Sequence, residues 1–287
     1  MKSKIKNILL QKKYYTFAII ISLLGGLTAC TEDVGTLSIE AKPIVEAYLI
    51  AGRPISLKVK KEIAYAEDTS NTEAPINGLD IKISDGTNTY ALTSLDSGVY
   101  ESDNKVKLAV GKTYTLSFVY NGKTVSASTI IPTKPVDFKS DVTSIARTKL
   151  NLSSGGGFGG GIDENSDVNL TWSNPKSEYH FVVVDNIEEN PVLIVTLPTT
   201  VTSAEINRRF RSQPVLGTAT QLRSQQFEYF GKHNLVLLKV NPDYAALYNS
   251  TGSTSQNITT PPTTITNGLG IFTGVNADTL SFLVKQK

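Results

Sequence analysis

The chain has 287 residues, 40% of them hydrophobic, with 28 Lys and Arg against 26 Asp and Glu and a single cysteine, Cys30. One cysteine excludes a disulfide framework and a Cys-based metal site in the folded part. The small positive excess belongs to the N-terminus: without the five lysines of the first 29 residues, 23 basic side chains face 26 acidic ones, and no Lys/Arg tract with interleaved aromatics follows Lys13, which excludes nucleic acid as a partner.

Residues 1–29 read as a signal peptide. Lys2, Lys4, Lys6, Lys12 and Lys13 precede an apolar run over 14–24, and that run falls short of the roughly 20 apolar residues that a permanent membrane span needs. It ends in Gly25 and Gly26, then Leu27-Thr28-Ala29-Cys30, which resembles the bacterial lipobox. Processing at that motif alkylates the thiol with diacylglycerol, cleaves before it and acylates the new amino group. Each buried methylene contributes about 0.8 kcal/mol, so several acyl chains on Cys30 would hold the protein on a membrane. Residues 30–42 are then the acylated cysteine and its linker. Glu32 and Asp33 resemble an acidic tag that directs such lipoproteins to the outer face of the outer membrane; a periplasm-facing anchor is the alternative.

From 43 to 132 the chain is a string of short segments with period-two alternation, broken by turn signals. That pattern predicts an immunoglobulin-like β-sandwich rather than helices. Strands are expected at 44–50, 55–63, 79–84, 89–94, 98–101, 113–120 and 124–131. Asp85-Gly86 and Asn121-Gly122 supply the positive φ that tight hairpins need. In 113–120, Tyr114, Leu116, Phe118 and Tyr120 share one face, and one face should line the core. Pro132 and Pro135 close this domain with an extended linker.

A second, mainly-β domain with one or two short helices is expected over 136–287, so the chain as a whole reads as all-β. The glycine run 155–161 lacks the Lys-Ser/Thr ending of a P-loop and reads as a flexible loop. Strands are expected at 167–172, 179–184, 192–197 and 233–240, with a short helix at 203–210; 221–230 is open between strand and loop. Asn241, Pro242 and Asp243 read as N-cap, first helical residue and first-turn acid of a helix over 241–248. The Ser/Thr/Asn-rich stretch 249–266 is a long loop. The glycine-rich segment 267–274 leads to a last strand at 278–284.

Catalytic and metal-binding patterns do not emerge. His180 and His233 are the only imidazoles, and each lies in or beside an apolar run, so both read as hydrogen-bonded structural residues. There is no His-x-x-x-His, Glu-x-x-His or Cys-x-x-Cys spacing for zinc and no Gly-x-Ser-x-Gly elbow. Glu67-Asp68 and Glu188-Glu189 are adjacent acids that would point to opposite faces of a strand, which suits neither acid–base pairing nor a shared metal. A calcium site from Asp163, Glu164 and Asp167 stays open as the alternative to a solvated acidic loop. Most of the twelve Tyr, ten Phe and one Trp read as core, Trp172 and Tyr114 among them. The expectation is therefore a protein that is not an enzyme and holds no cofactor or metal, with its ligand unread.

The order of Pro43-Ile44-Val45-Glu46-Ala47-Tyr48-Leu49-Ile50, Gly98-Val99-Tyr100, Gly111-Lys112-Thr113-Tyr114, Trp172-Ser173-Asn174-Pro175, the stretch 240–248 and Asn267-Gly268-Leu269-Gly270-Ile271-Phe272 resembles a known family. These are the Bacteroidota outer-membrane lipoproteins described as domain of unknown function 4249. The resemblance covers nearly the whole chain after the signal peptide. It implies a lipoprotein encoded beside a TonB-dependent outer-membrane transporter and assisting nutrient uptake. The partners would then be the membrane, through the lipid anchor, and that transporter. It brings no catalytic residues, and the runs 155–161 and 249–266 depart from the family pattern as insertions. The expected role is an accessory binding subunit at the cell surface; a surface adhesin or structural lipoprotein is the alternative.

Overall fold

The computed structural model describes residues 41–63, 74–151, 167–196, 209–250 and 262–287. In chain order the first strands are β1 (Pro43–Ile50), β2 (Ser56–Lys61), β3 (Lys82–Ser84), β4 (Thr89–Ala91), β5 (Thr93–Ser94), β6 (Val99–Glu101), β7 (Thr113–Tyr120) and β8 (Lys123–Ile130). They are followed by β9 (Val136–Ser140), β10 (Ser144–Arg147), β11 (Leu150–Asn151), β12 (Val168–Ser173), β13 (Tyr179–Asn186), β14 (Val195–Thr196), β15 (Arg209–Arg211) and β16 (Ala219–Leu222). β17 (Gly231–Val240), the helix α1 (Pro242–Ser250) and β18 (Leu269–Gln286) complete the order. The protein is all-β with one α-helix among the described residues.

A nine-stranded sheet runs β15-β13-β17-β18-β1-β2-β6-β5, with β10 added beside β18. β18 is its spine. The first half, through Val275, pairs in parallel with β1, and the second half pairs antiparallel with β17 from Val275↔Val240 to Val284↔Gly231. Two smaller sheets, β4-β3-β7-β8 and β16-β12-β9, cover it.

Both small sheets lie on the same face of the large one, because side chains alternate across a strand. Along β18 the even positions enter the two main cores. Phe272 joins Val45, Ala47, Tyr100, Leu116, Phe118 and Val125 in the first. Phe282 and Val284 join Leu170, Trp172, Val182, Val184 and Leu237 in the second. The odd positions Ile271 and Val275 face the other way, where Tyr244 of α1 packs with Phe181 and Val240.

The hairpins form as their turn residues dictate. Asn121 (φ 48°) and Gly122 (φ 72°) join β7 to β8 with Tyr120 opposite Lys123, and β7 buries Tyr114, Leu116 and Phe118 while exposing the residues between. Three expectations change. The stretch 89–94 is two strands in different sheets, interrupted by the buried Leu92. Phe210 lies in β15, hydrogen-bonded along β13, rather than in a helix; 203–208 fall outside the described residues. The last strand begins nine residues earlier than its alternation suggests. Gly268, Gly270 and Gly274 look like loop residues but permit close approach: a Cβ on Gly270 would run into the Val45 carbonyl of β1.

Candidate functional site

The linker after β8 crosses the large sheet in the seam between the two small sheets. There Asn276 donates its side-chain amide to the Pro132 carbonyl at 2.9 Å, and Lys134 pairs with Asp278 at 2.8 Å. Beneath it lies a cavity of about 260 Å³ whose lining includes Thr133, Lys176, Glu178, His180 and Lys239.

Each of these side chains is placed by the fold. β17 alternates His233, Leu235, Leu237, Lys239 toward the core, so its last inward position carries an ammonium instead of an apolar group. Lys239 is 7% exposed, and an ammonium so placed needs partners to offset its lost hydration. Its Nζ is ion-paired to Glu178 Oε2 and donates to Thr133 Oγ1 at 2.8 Å. The loop bearing Pro175, Lys176 and Glu178 is fixed by Asn174. Asn174 Oδ1 accepts the Glu178 N–H at 2.9 Å, and its Nδ2 donates to the carbonyls of Glu178 and Leu216, both at 2.9 Å.

His180 follows on β13, 1% exposed. Its Nδ1 lies 2.9 Å from the Glu178 carbonyl, so Nδ1 carries the proton and Nε2 the lone pair. Burial lowers its pKa below the ordinary value and the nearby Lys239 charge lowers it further, against the opposing pull of the Glu178 contacts. The ring lies 5.7 Å from that of Trp172, whose indole N–H is buried with no acceptor among the described residues. The arrangement is a neutral imidazole, a buried ammonium and a carboxylate beside a small cavity. It can hold an anion or a hydroxyl.

A larger cavity of about 410 Å³ opens beside β11 and β14, lined by Leu150, Leu193, Val195 and Phe227 with Arg147 and Glu228. The Arg147 guanidinium donates to the Ser224 carbonyl, and burial raises the Glu228 pKa. Both of those strands lead at once to residues outside the described ones. On the opposite face of the large sheet, Tyr244 stacks on Phe181 at 5.3 Å and takes a hydrogen bond from Arg211 Nη1 at 2.7 Å. Nearby Tyr48 is pushed up to about 12 by burial and by the Glu46 charge.

Cys30, with Leu27, Thr28, Ala29, Glu32 and Asp33, lies outside the described residues, as do Glu67-Asp68, the glycine run 155–161, Asp163 and Glu164. Asp167 is described, and its Oδ1 accepts the Ser224 N–H at 3.3 Å; no group of three or more potential metal-ligating side chains occurs among the described residues. His233 is structural: Nδ1 bonds the Gly231 carbonyl at 3.0 Å, and Nε2 meets Asn186 Nδ2 at 3.2 Å. Glu188 Oε2 accepts the Lys232 N–H at 3.0 Å. Trp172 and Tyr114 are core, as expected. Lys239, Lys176 and Glu178 were not singled out by sequence reasoning. A lysine at an inward position of an apolar alternation is the signal that could have found the first; the other two sit in an ordinary polar loop.

A family model described as Domain of unknown function (DUF4249) matches residues 36–281. The chain belongs to this family. The matched span of the DUF4249 chain contains both small sheets and the seam. No curated protein matches the sequence. Among solved structures, it is similar to chicken CNTN1 FN1-FN3 domains, at 9% identity over 85% of this chain and 66% of that one, with a TM-score of 0.26. It is also similar to trypsin-activated alpha-2-macroglobulin from Escherichia coli, at 10% identity over 70% of this chain and 14% of that one, TM-score 0.20. Titin-A168169 gives 10% identity over 86% and 99%, TM-score 0.21. The DUF4249 chain thus spans just under two thirds of the CNTN1 fragment, and likenesses this distant carry nothing about ligand or partner.

Proposed function

We propose that the chain is an outer-membrane lipoprotein, anchored through an acylated Cys30, that serves as an accessory binding subunit of a TonB-dependent nutrient-uptake system. One observation carries the reading: the only cysteine ends Leu27-Thr28-Ala29-Cys30, directly after a lysine-rich apolar leader. Membership in the DUF4249 family supports it, through the transporter association that the resemblance implies. The seam cavity supports binding rather than catalysis, since its charged groups hold one another in place around an open volume. In this reading Glu32 and Asp33 direct the anchor to the cell surface.

Two measurements test the two halves. Cys30→Ser should abolish labelling by a tagged fatty acid and release the protein from the membrane fraction; a variant that still sediments with outer membranes overturns the anchor. Affinity purification of the tagged full chain in mild detergent should recover a TonB-dependent channel. Recovery of the lipoprotein alone overturns the uptake role, and loss of surface attachment on deletion with uptake unchanged would favour the adhesin reading.

A further inference from the structure

The seam cavity is specific enough in its donors and acceptors to name a ligand class. The Lys239 ammonium has three N–H donors, of which Glu178 Oε2 and Thr133 Oγ1 take two. The third has no partner among the described residues, and Lys239 lines the cavity. His180 Nε2 offers a lone pair whose direction is locked, because Nδ1 is tied to the Glu178 carbonyl. Lys176 lines the same cavity and makes no ion pair or hydrogen bond among the described residues. Lys134 is held by Asp278 and Lys239 by Glu178, so three cations face two carboxylates and the cavity carries one net positive charge. Such a site wants a carboxylate between Lys239 and Lys176 and a hydroxyl that donates to His180. A volume of about 260 Å³ is the scale of one monosaccharide ring.

We propose that the seam cavity binds a small hydroxylated carboxylate of the sugar-acid class, its carboxylate held by Lys239 and Lys176 and a hydroxyl by His180. The physical claim concerns the cavity alone; its use as the cargo site rests on the binding-subunit reading. Trp172 is the only tryptophan, and its ring lies 5.7 Å from that of His180, so its emission reports occupancy.

The test titrates the full-length protein in mild detergent with sodium D-glucuronate, and with D-glucose and sodium acetate as controls at matched ionic strength. A saturable change in Trp172 emission is expected with glucuronate, with both controls at least about tenfold weaker, because each lacks one of the two recognised groups. Lys176→Gln and Lys239→Met should each weaken glucuronate roughly tenfold or more. Lys176 is exposed, so its variant keeps the wild-type melting temperature and separates lost binding from lost fold. No saturable response to glucuronate overturns the proposal, as does an equal response to glucose or acetate, or wild-type affinity in Lys176→Gln. Membrane attachment and channel recovery are read in separate experiments, so either the cavity claim or the uptake role can fail while the other stands.

Discussion

The side-chain amide of Asn241 donates to Thr129 Oγ1 at 3.0 Å, and the same hydroxyl accepts the backbone N–H of Gly274 at 2.9 Å. Asn241 Nδ2 also reaches the Ile130 carbonyl at 2.9 Å and the Gly274 carbonyl at 3.3 Å. Asn241 joins β17 to α1, Thr129 lies near the end of β8 and Gly274 in the first half of β18, so three strands from different parts of the chain meet on one side chain. The sequence pattern assigns Asn241 to capping α1. The side chain instead ties the free edge of β8 to the large sheet, and Asp243 Oδ1 accepts the Tyr244 N–H and the Thr273 hydroxyl.

Asn241→Ala should therefore destabilise the protein by about 1–3 kcal/mol, the cost of leaving part-buried acceptors unpaired. Urea unfolding measures it. The comparison is Gln221→Ala, which removes an exposed bond to Asn169 Oδ1 at 3.3 Å and should cost less. Equal losses in the two variants would show that the junction has no special weight.

Gly270 takes φ +93° where β18 meets β1, and a Cβ there would run into the Val45 carbonyl. Gly122 also has positive φ, 72°, but a Cβ there meets nothing within 4 Å. Gly270→Ala should cost about 2–5 kcal/mol, combining strained φ with overpacking, and Gly122→Ala only about 1 kcal/mol. Thermal melts of the pair decide it: if the two variants melt together, β18 does not approach β1 as closely as described.

These residues also show what the sequence can and cannot reveal. Alternation in β7 predicts its buried face residue by residue, and Asn121-Gly122 predicts the hairpin, because both signals are local. The parallel pairing of β1 with β18 joins residues more than two hundred positions apart, and nothing local encodes it. Its one trace is glycine at 268, 270 and 274, which reads equally as a loop. The seam cavity is hidden for the same reason. Lys239 comes from β17, Glu178 from the loop fixed by Asn174, and Thr133 from the linker, and only the fold brings them together. Asn174 itself lies in a segment the family resemblance had already picked out, with its cause visible only as hydrogen bonds to Glu178 and Leu216.

Acid should weaken the small sheet β4-β3-β7-β8 through Asp85, in the turn between β3 and β4. Its carboxylate accepts the N–H groups of Asn88 at 2.7 Å and Thr87 at 3.0 Å, and Lys112 Nζ at 2.9 Å. The Asn88 N–H, then Lys112, then Thr87 hold its pKa well below the usual carboxylate range. A depressed folded pKa means stability that is present above the unfolded value of about 4 and is lost as pH falls toward the folded one. Asp85→Asn should lower the melting temperature at pH 7 and narrow its gap from wild type at pH 3. A gap that stays constant between the two would show that the ionised carboxylate adds nothing.

His180 titrates in the opposite chemical sense. Burial, reinforced by the Lys239 charge and opposed by the Glu178 contacts, lowers its pKa, so the fold keeps the imidazole neutral. The unfolded chain takes up a proton near pH 6.5 that the folded chain refuses. The resulting stability is fully present above pH 6.5 and is lost as pH falls from there toward the folded pKa. The ring proton signals of the two histidines, assigned with a His233→Gln variant, should give a His180 midpoint below 6.5. Lys239→Met removes the repelling charge while Glu178 stays, so the midpoint should move up. A midpoint at the ordinary value in the wild type would remove the buried, neutral imidazole from the seam, and one unmoved by Lys239→Met would show that the two groups do not share the cavity.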